Sequence, residues 1–308
     1  MCERRALTQG LPVVVVLGPT ATGKTELAIR IARAFHGEVV SADSRYLYRG
    51  MDIGTAKPTP EERAEVRHHV IDVADPADDF SVARFQQEVA AALEDVAGRG
   101  GRALLVGGTG LYLRAVVDGF TVPGRFPEVA ATLAAEPDTA ALYARLVSAD
   151  PEAAARMEPT NRRRIIRALE VTLGSGRPFS GFGPGLHTFP PTAIRMIGVW
   201  PPRSVTAARI EARFDAMLDA GLVAEVAALA DRPAGLSRTA RQALGYREIL
   251  AHLEDGLYLA EARAVAVRRT REFARRQRVW FRRDPRIAWL AATPNVVELA
   301  PALLGDWW

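Results

Sequence analysis

The chain has 308 residues, with 40 lysines and arginines against 36 acidic residues, a formal net charge of +4. This length exceeds the usual size of one domain, and 48% hydrophobic with 25% charged residues is typical of a globular protein with a large core. The single cysteine, Cys2, excludes a disulfide framework and a cysteine metal site. No apolar run approaches the roughly 18 residues of a membrane span, and residues 1–10 lack a signal-peptide core. We therefore expect a soluble, cytoplasmic protein.

The first predicted elements surround a phosphate-binding loop. Val13–Leu17 is a short β-branched run typical of a buried strand, and residues 26–35 have the apolar spacing of a helix. Between them, G-P-T-A-T-G-K-T matches the pattern G-x-x-x-x-G-K-[ST], in which backbone N–H groups and a lysine hold a polyphosphate and the last hydroxyl can ligate Mg²⁺. A purely structural glycine turn is the alternative. The predicted diphosphate-binding residues are Gly18, Thr20, Ala21, Thr22, Gly23, Lys24 and Thr25, with Thr25 also as the metal ligand.

A carboxylate follows the second predicted strand. Residues 38–41 form this strand, and Asp43 comes directly after it, where open α/β sheets bind ligands. Asp43 is therefore a candidate general base, although an aspartate that caps a helix or a turn explains its position equally well. His68 and His69 follow further along the chain. Because neighbouring residues of a strand point to opposite faces, we expect at most one of them to face the site.

Further apolar runs at 70–73, 103–106 and 194–200 alternate with helix-like segments, which predicts an α/β fold with a parallel sheet flanked by helices. The run at 103–106 ends in Gly107-Gly108-Thr109-Gly110. An ordinary P-loop ATPase more often has an aspartate there, so this ending argues against one. The glycines permit close approach of a ligand to the backbone and Thr109 offers a hydroxyl, with a simple tight turn as the alternative.

An inserted all-helical domain is predicted between the two parts of the core. Alanine- and arginine-rich helices at 139–147 and 161–173 are followed by loops rich in glycine and proline up to residue 185. From residue 204 onward the chain again has helical patterns, ending in a long amphipathic segment at 258–283. We therefore divide the chain into a core of residues 1–123 and 192–308, with a helical C-terminal region, and an insertion of residues 124–191.

Arginines concentrate in two of these predicted helices. The first group is Arg156, Arg162, Arg163, Arg164 and Arg167, and the second is Arg268, Arg269, Arg271, Arg275, Arg276, Arg278, Arg282 and Arg283. Arginine pairs bidentately with phosphate and stacks on bases, so two such patches indicate an extended polyanion and favour RNA. The alternative is a solvated helix face whose charge is balanced by acids elsewhere.

Taken together, the motifs resemble those of the bacterial tRNA dimethylallyltransferases. The matching stretches cover nearly the whole chain in the same order, at residues 18–25, 41–58, 68–72, 107–112, 161–171, 209–218, 243–248 and 270–281. The resemblance implies a P-loop NTPase-like core and transfer of a dimethylallyl group from dimethylallyl diphosphate to N6 of the adenosine next to the anticodon on its 3′ side. It further implies tRNAs that read codons beginning with U, and a loop that holds the prenyl diphosphate instead of ATP.

The resemblance also implies roles for particular residues. The catalytic residues would be Asp43 as the base that accepts the N6 proton, with Thr109 and Arg213 at the diphosphate, and Mg²⁺ as cofactor. The resemblance places at the tRNA Asp43, Ser44, Arg45, Tyr46, Arg163, Arg164, Ile165, Ile166 and Arg167. From the basic C-terminal patch we add Arg271, Arg275, Arg276 and Arg278. Arg163 stands where the family commonly has glutamine, which favours phosphate contact over base reading there. The expected partners are tRNA and dimethylallyl diphosphate, with no membrane, and we favour a monomer.

Three other functions share part of this pattern. A small-molecule kinase has the same loop and an acid after the second strand, but the Gly107-Gly108-Thr109 ending and the arginine patches disfavour it. An adenylate isopentenyltransferase performs the same chemistry on a free nucleotide, which needs neither the insertion nor the basic helix. A non-catalytic RNA-binding P-loop protein would not need Lys24, Asp43 and Arg213 together.

Overall fold

A computed structural model describes residues 11–183, 185–186, 188–290 and 304. The described residues form a six-stranded parallel sheet in the order β3-β2-β4-β1-β5-β6. The strands are β1 (Val13–Leu17), β2 (Glu38–Ser41), β3 (His68–His69), β4 (Ala103–Gly107), β5 (Arg195–Val199) and β6 (Ile287–Leu290). Among these residues no helix is long and apolar enough to cross a membrane.

The helices lie between these strands in the sequence. They are α1 (Lys24–Phe35), α2 (Pro60–Glu65), α3 (Val82–Gly98), α4 (Gly110–Val117), α5 (Pro127–Ala135), α6 (Thr139–Ala149), α7 (Pro151–Ala155), α8 (Arg162–Ser175), α9 (Arg203–Asp219), α10 (Leu222–Ala230), α11 (Arg238–Arg241), α12 (Tyr246–Asp255) and α13 (Leu259–Phe281), with a short 3₁₀ helix at Phe179–Phe182.

Strand β1 lies inside the sheet, between β4 and β5. This position explains why its sequence is uniformly apolar. Val13, Val15 and Leu17 belong to one hydrophobic core, and Val14 and Val16 belong to a second one. Because successive side chains of a strand point to opposite faces, each face of the sheet has its own core. The carboxyl ends of β1, β2 and β4 are adjacent, which brings the loops that follow them to one edge.

The predicted strands at 13–17, 38–41, 103–106 and 194–200 are confirmed, as is the α/β class. The strand predicted at 70–73 is wrong, since Val70 and Asp72 both have a φ of 60°. The Asp72 carboxylate pairs with Lys57 at 2.6 Å and with Arg63 at 2.9 Å, and these ion pairs hold the residue away from a strand conformation. Strand β6 was not predicted, although Asp284-Pro285 before it is a turn signal, because its four residues follow a segment with a helical pattern.

Residues Asp118–Pro190 form a compact unit of their own, separate from the unit built by the rest of the chain. Its core contains Leu133, Leu142, Leu146, Ile165 and Leu169, each no more than 2% exposed. The unit spans Asp118–Pro190, and the predicted insertion spans residues 124–191.

Two charged side chains of α8 attach residues 123–126 to this unit. Arg167 donates to the carbonyl oxygens of Pro123 and Gly124 at 2.8 and 3.0 Å and pairs with buried Glu170 at 2.7 Å. Glu170 in turn accepts from the Phe126 N–H at 2.9 Å. The side chains of α8 therefore fix the entry segment of the unit by its backbone.

Candidate active site

The phosphate loop connects β1 to the N-terminus of α1 with two residues in the left-handed region. Gly23 has a φ of 88° and Ala21 a φ of 61°. This conformation costs an L-residue such as Ala21 about 1–2 kcal/mol, and such local strain is typical of functional sites. The Thr22 hydroxyl donates to the Pro19 carbonyl at 2.9 Å and stabilises the loop from within. Lys24 and Thr25 then open α1, where N–H groups and the helix dipole favour an anion.

Three residues predicted from distant segments meet at this loop. Asp43, Thr109 and Arg213 line one cleft of about 520 Å³ together with Lys24. Burial lowers the pKa of Lys24 to about 8, the negative charge of Asp43 opposes this change, and the positive charge of Arg213 adds to it. Beside the phosphate loop, the cleft therefore places the cations Lys24 and Arg213 near the Asp43 carboxylate, a distribution that suits an anionic leaving group beside a proton acceptor. Its other basic lining residues are Arg45, Arg247, Arg269 and Arg276. Glu272 is the second carboxylate of the lining.

Asp43 stabilises a turn with one carboxylate oxygen and leaves the other available to a ligand. Its Oδ1 accepts from the Arg45 N–H at 3.0 Å, and its own N–H donates to the Ser41 hydroxyl at 3.3 Å. This is the turn that the sequence left as an alternative. The turn needs only one carboxylate oxygen, so the second can accept a proton from a ligand in the cleft.

Thr109 is linked to the Asp43 segment through Ser44. Its hydroxyl accepts from the Ser44 N–H and donates to the Ser44 hydroxyl, both at 3.4 Å. The neighbouring glycines Gly107 and Gly110 allow close approach of the protein itself. A Cβ on Gly107 would overlap the Ala42 backbone, and one on Gly110 would overlap the indole of Trp280.

A narrow pocket adjoins the cleft at Lys24 and Asp43, and Thr25 also lines it. Its apolar wall consists of Ala28, Val39, Pro58, Ile71 and Val106, and Tyr46 and His68 also line it. Tyr46 donates to the Ala56 carbonyl at 2.7 Å and bonds with the Thr25 hydroxyl. Burial raises the pKa of Tyr46 well above its ordinary value, and the charge of Asp43 adds to this. Tyr46 thus stays a neutral phenol.

Only one of the two adjacent histidines faces this pocket, as predicted. His69 instead bonds to Glu38 at 2.6 Å. His68 Nδ1 lies 2.7 Å from the Val66 carbonyl, which places the proton on Nδ1 and leaves Nε2 as a buried acceptor. Burial lowers the pKa of His68, so the ring is neutral and its Nε2 can accept a hydrogen bond.

The arginines of α8 differ in their accessibility. Arg163 and Arg164 are exposed in the first turn, whereas Arg167 is occupied by Glu170 and two carbonyl oxygens. Ile165, predicted at the tRNA, is fully buried in the core of its unit, and Ile166 is half-buried. We therefore correct the prediction for Ile165, since every third to fourth residue of a helix on a core must face inward.

A similar correction applies to α13. Arg278, also predicted at the tRNA, is buried, donates to the Pro201 carbonyl and to the Thr206 hydroxyl, and lies 4.5 Å over the ring of Trp200. Arg271 pairs with Glu211 at 2.6 Å. Arg275 and Arg276 are exposed, and Arg276 lines the cleft.

Sequence reasoning missed Gln277, a buried residue of α13 that lines the cleft. Thr270, Ala274, Gln277 and Phe281 have the spacing of a core-facing helix stripe, and an amide in such a stripe signals a buried hydrogen-bonding role. Arg247 and Arg269 were likewise not assigned to the site. They lie on different helices, and only the folded chain brings them together.

Comparison with known proteins gives consistent results. The family model described as IPP transferase matches residues 46–284. A tRNA dimethylallyltransferase of Kineococcus radiotolerans is 49% identical over 291 residues, 92% of this chain and 91% of the relative. The crystal structure of a tRNA isopentenylpyrophosphate transferase from Bacillus halodurans is similar with a TM-score of 0.71 and 36% identity, covering 96% of each chain. A eukaryotic dimethylallyltransferase acting on tRNA has a TM-score of 0.81 at 26% identity, covering 96% of this chain and 79% of its own.

Proposed function

The chain belongs to the IPP transferase family, and on this premise we propose that it is a tRNA dimethylallyltransferase. It transfers the dimethylallyl group of dimethylallyl diphosphate to N6 of the adenosine on the 3′ side of the anticodon in tRNAs reading codons that begin with U. Diphosphate is released. The observation that carries the proposal is the convergence of the phosphate loop, Asp43, Thr109 and Arg213 in one cleft.

The diphosphate is held by the phosphate loop and the cations beside it. Lys24 and Arg213 flank the position where negative charge grows as the bond between the allylic carbon and oxygen breaks. Donors that meet this charge more strongly in the transition state than in the bound substrate lower the barrier. The apolar wall of the narrow pocket adjoins both Lys24 and Asp43 and offers an apolar surface to the five-carbon chain beside the diphosphate.

Asp43 completes the reaction on the adenine side. As N6 forms its bond to the allylic carbon, the N6–H proton moves to the Asp43 carboxylate and the electron pair of the broken bond leaves with the diphosphate. The hydrogen bond from the Arg45 N–H orients this carboxylate. The base thus acts at N6, where the new bond forms, and the cations act at the diphosphate, where the old bond breaks.

We also propose that Mg²⁺ binds with the diphosphate. Among the described residues no group of three or more histidine, cysteine, aspartate or glutamate side chains could hold a metal ion. The chain offers instead the Thr25 hydroxyl. Because Tyr46 donates its own proton to the Ala56 carbonyl, the Thr25 hydroxyl can donate to Tyr46, and its oxygen is then available to the ion. Such a sparse set fits Mg²⁺, which takes few protein ligands and completes its shell with phosphate oxygens and water. When bound, the ion neutralises charge on the leaving diphosphate.

The adenine can reach the cleft only when it is unstacked, which costs a few kcal/mol. The exposed arginines offset this cost through contacts to the RNA backbone. Arg276 lines the cleft, and its neighbour Arg275 is exposed, which supports such contacts by both.

Substitution of Asp43 by asparagine tests this assignment. Asparagine retains an oxygen that can accept from the Arg45 N–H but cannot take the N6 proton, so we expect single-turnover transfer to fall by about 10²–10⁴-fold. The affinity for tRNA should stay within about threefold. The matched control is Asp95→Asn, an exposed residue that pairs with Arg99 away from the cleft, and it should leave transfer unchanged. Lost tRNA binding with unchanged single-turnover chemistry would assign Asp43 to binding instead.

A further inference from the structure

Gln277 of α13 connects the two loops that form the diphosphate side of the cleft. Its Oε1 accepts from the Thr20 N–H of the phosphate loop at 2.9 Å, and its Nε2 donates to the Gly108 carbonyl in the turn after β4 at 2.7 Å. The side chain is 8% exposed. We propose that Gln277 is a positioning residue that holds the phosphate loop and the Thr109 turn at a fixed separation. This inference rests on the proposed function of the cleft.

The chemistry of the bridge requires an amide of this length. One partner is an N–H donor and the other a carbonyl acceptor, so the side chain has to accept at one atom and donate at the other. A glutamate can accept from Thr20 but cannot donate to Gly108 when ionised, and a methionine can do neither. The two partners also determine the orientation of the amide, because the reversed orientation would place two donors and two acceptors face to face.

Gly108 shows that the contact is sterically tight. A Cβ at this position would lie 2.7 Å from Gln277 Nε2 and 3.1 Å from the Gly18 carbonyl oxygen. The approach to Nε2 is closer than real Cβ atoms come, so a larger residue at 108 would push the amide end of Gln277 away from the Gly108 carbonyl. The contact therefore requires both a glycine at position 108 and the amide of Gln277.

The bridge affects the reaction through the phosphate loop. With its Thr20 N–H bonded to Gln277, the loop holds its shape before the substrate arrives, and donors fixed in advance do not have to reorganise as charge develops. Thr109, next to Gly108, is held by the same bridge. We expect its loss to weaken the binding of the diphosphate and to leave the binding of tRNA nearly unchanged.

The test compares Gln277→Met with wild type by two measurements. Calorimetry with inorganic diphosphate and Mg²⁺ should show a Kd about tenfold higher, and transfer assays should show a higher KM for dimethylallyl diphosphate with the KM for tRNA within about twofold. Arg278→Met is the matched control, because it removes a neighbouring buried hydrogen-bonding side chain of α13 that does not touch either loop. It should lower stability without changing the diphosphate Kd.

Gly108→Ala approaches the same contact from the other side and serves if Gln277→Met does not fold. It should raise the diphosphate Kd in the same direction, and the double variant should be no worse than the single ones, because both changes break one contact. A diphosphate Kd equal to wild type in both single variants, or fully additive effects, would overturn the proposal. The wild-type protein could also bind diphosphate in this Gln277-dependent way and yet transfer no prenyl group. That result would refute the proposed function but would still support the positioning role of Gln277.

Discussion

Helices α8 and α13 are both rich in arginine, yet each helix uses its arginines in two different ways. In α8, Arg167 is turned toward carbonyl oxygens and Glu170, whereas Arg163 and Arg164 are exposed. In α13, Arg278 is buried against Pro201 and Trp200, whereas Arg275 is exposed. Arginine density therefore does not measure the RNA-binding surface. The position of each arginine around the helix decides whether it supports the fold or meets a polyanion.

The inward arginines of both helices perform a common task. Each guanidinium donates to carbonyl oxygens of a segment that lies outside any helix or strand, Pro123–Gly124 for Arg167 and Pro201 for Arg278. Such carbonyl oxygens would be costly to leave unbonded in a partly buried position. The comparison predicts that inward arginines act on stability and outward arginines on tRNA affinity.

The largest expected effect is that of Arg278→Met. The change leaves the Pro201 carbonyl without its donor and removes the contact with Trp200, so the free energy of unfolding should fall by about 2–4 kcal/mol. The affinity of the folded protein for tRNA should remain within about twofold. Denaturant unfolding and filter binding measure the two quantities. A stable variant with tenfold weaker tRNA binding would return Arg278 to the RNA surface.

A smaller effect is expected from the double variant Arg163→Gln, Arg164→Gln. Both side chains are exposed, so stability should change by less than about 0.5 kcal/mol. The Kd for tRNA should rise roughly tenfold at moderate salt, and the slope of log K against log salt should fall by about one to two, as for lost phosphate contacts. Arg145→Gln, an exposed arginine of α6 in the same unit, is the control. An unchanged salt slope would remove α8 from the tRNA interface.

The smallest effect concerns Arg271, which lies between the two classes. It is 42% exposed at the side chain and pairs with Glu211 at 2.6 Å, so Arg271→Gln should lower the free energy of unfolding by no more than about 1 kcal/mol. Because Glu211 already neutralises this charge, the tRNA Kd should rise less than threefold. Glu211→Gln separates the two roles in the same binding assay. If Arg271 contacts RNA directly, that change tightens tRNA binding by more than threefold, contrary to our expectation.

Much of the sheet edge that carries the cleft could be predicted from sequence because its motifs encode backbone requirements. The phosphate loop needs glycines between a strand and a helix, and Asp43 follows the next strand, so topology alone places them together. The failures have a different origin. Asp72 leaves the predicted strand because Lys57 and Arg63 hold its carboxylate. The spacing of apolar residues in the sequence does not reveal such an interaction.

The contacts of α13 could not be predicted for a related reason. Thr20 and Gln277 are 257 residues apart, and their hydrogen bond depends on how the last helix packs against the sheet. Ile165 and Arg278 illustrate the same limit, since a family pattern gives the segment that meets RNA but not which of its side chains face the core. The phase of a helix on its neighbours emerges only in the folded chain.

The most direct test of the central claim is a transfer assay with radiolabelled dimethylallyl diphosphate and Mg²⁺. The protein is offered an anticodon stem-loop that carries the target adenosine and, separately, free AMP. We predict label in the stem-loop alone, and no label when that adenosine is replaced by guanosine, which lacks the N6 amine. Label in AMP alone, or in neither acceptor, would contradict the account.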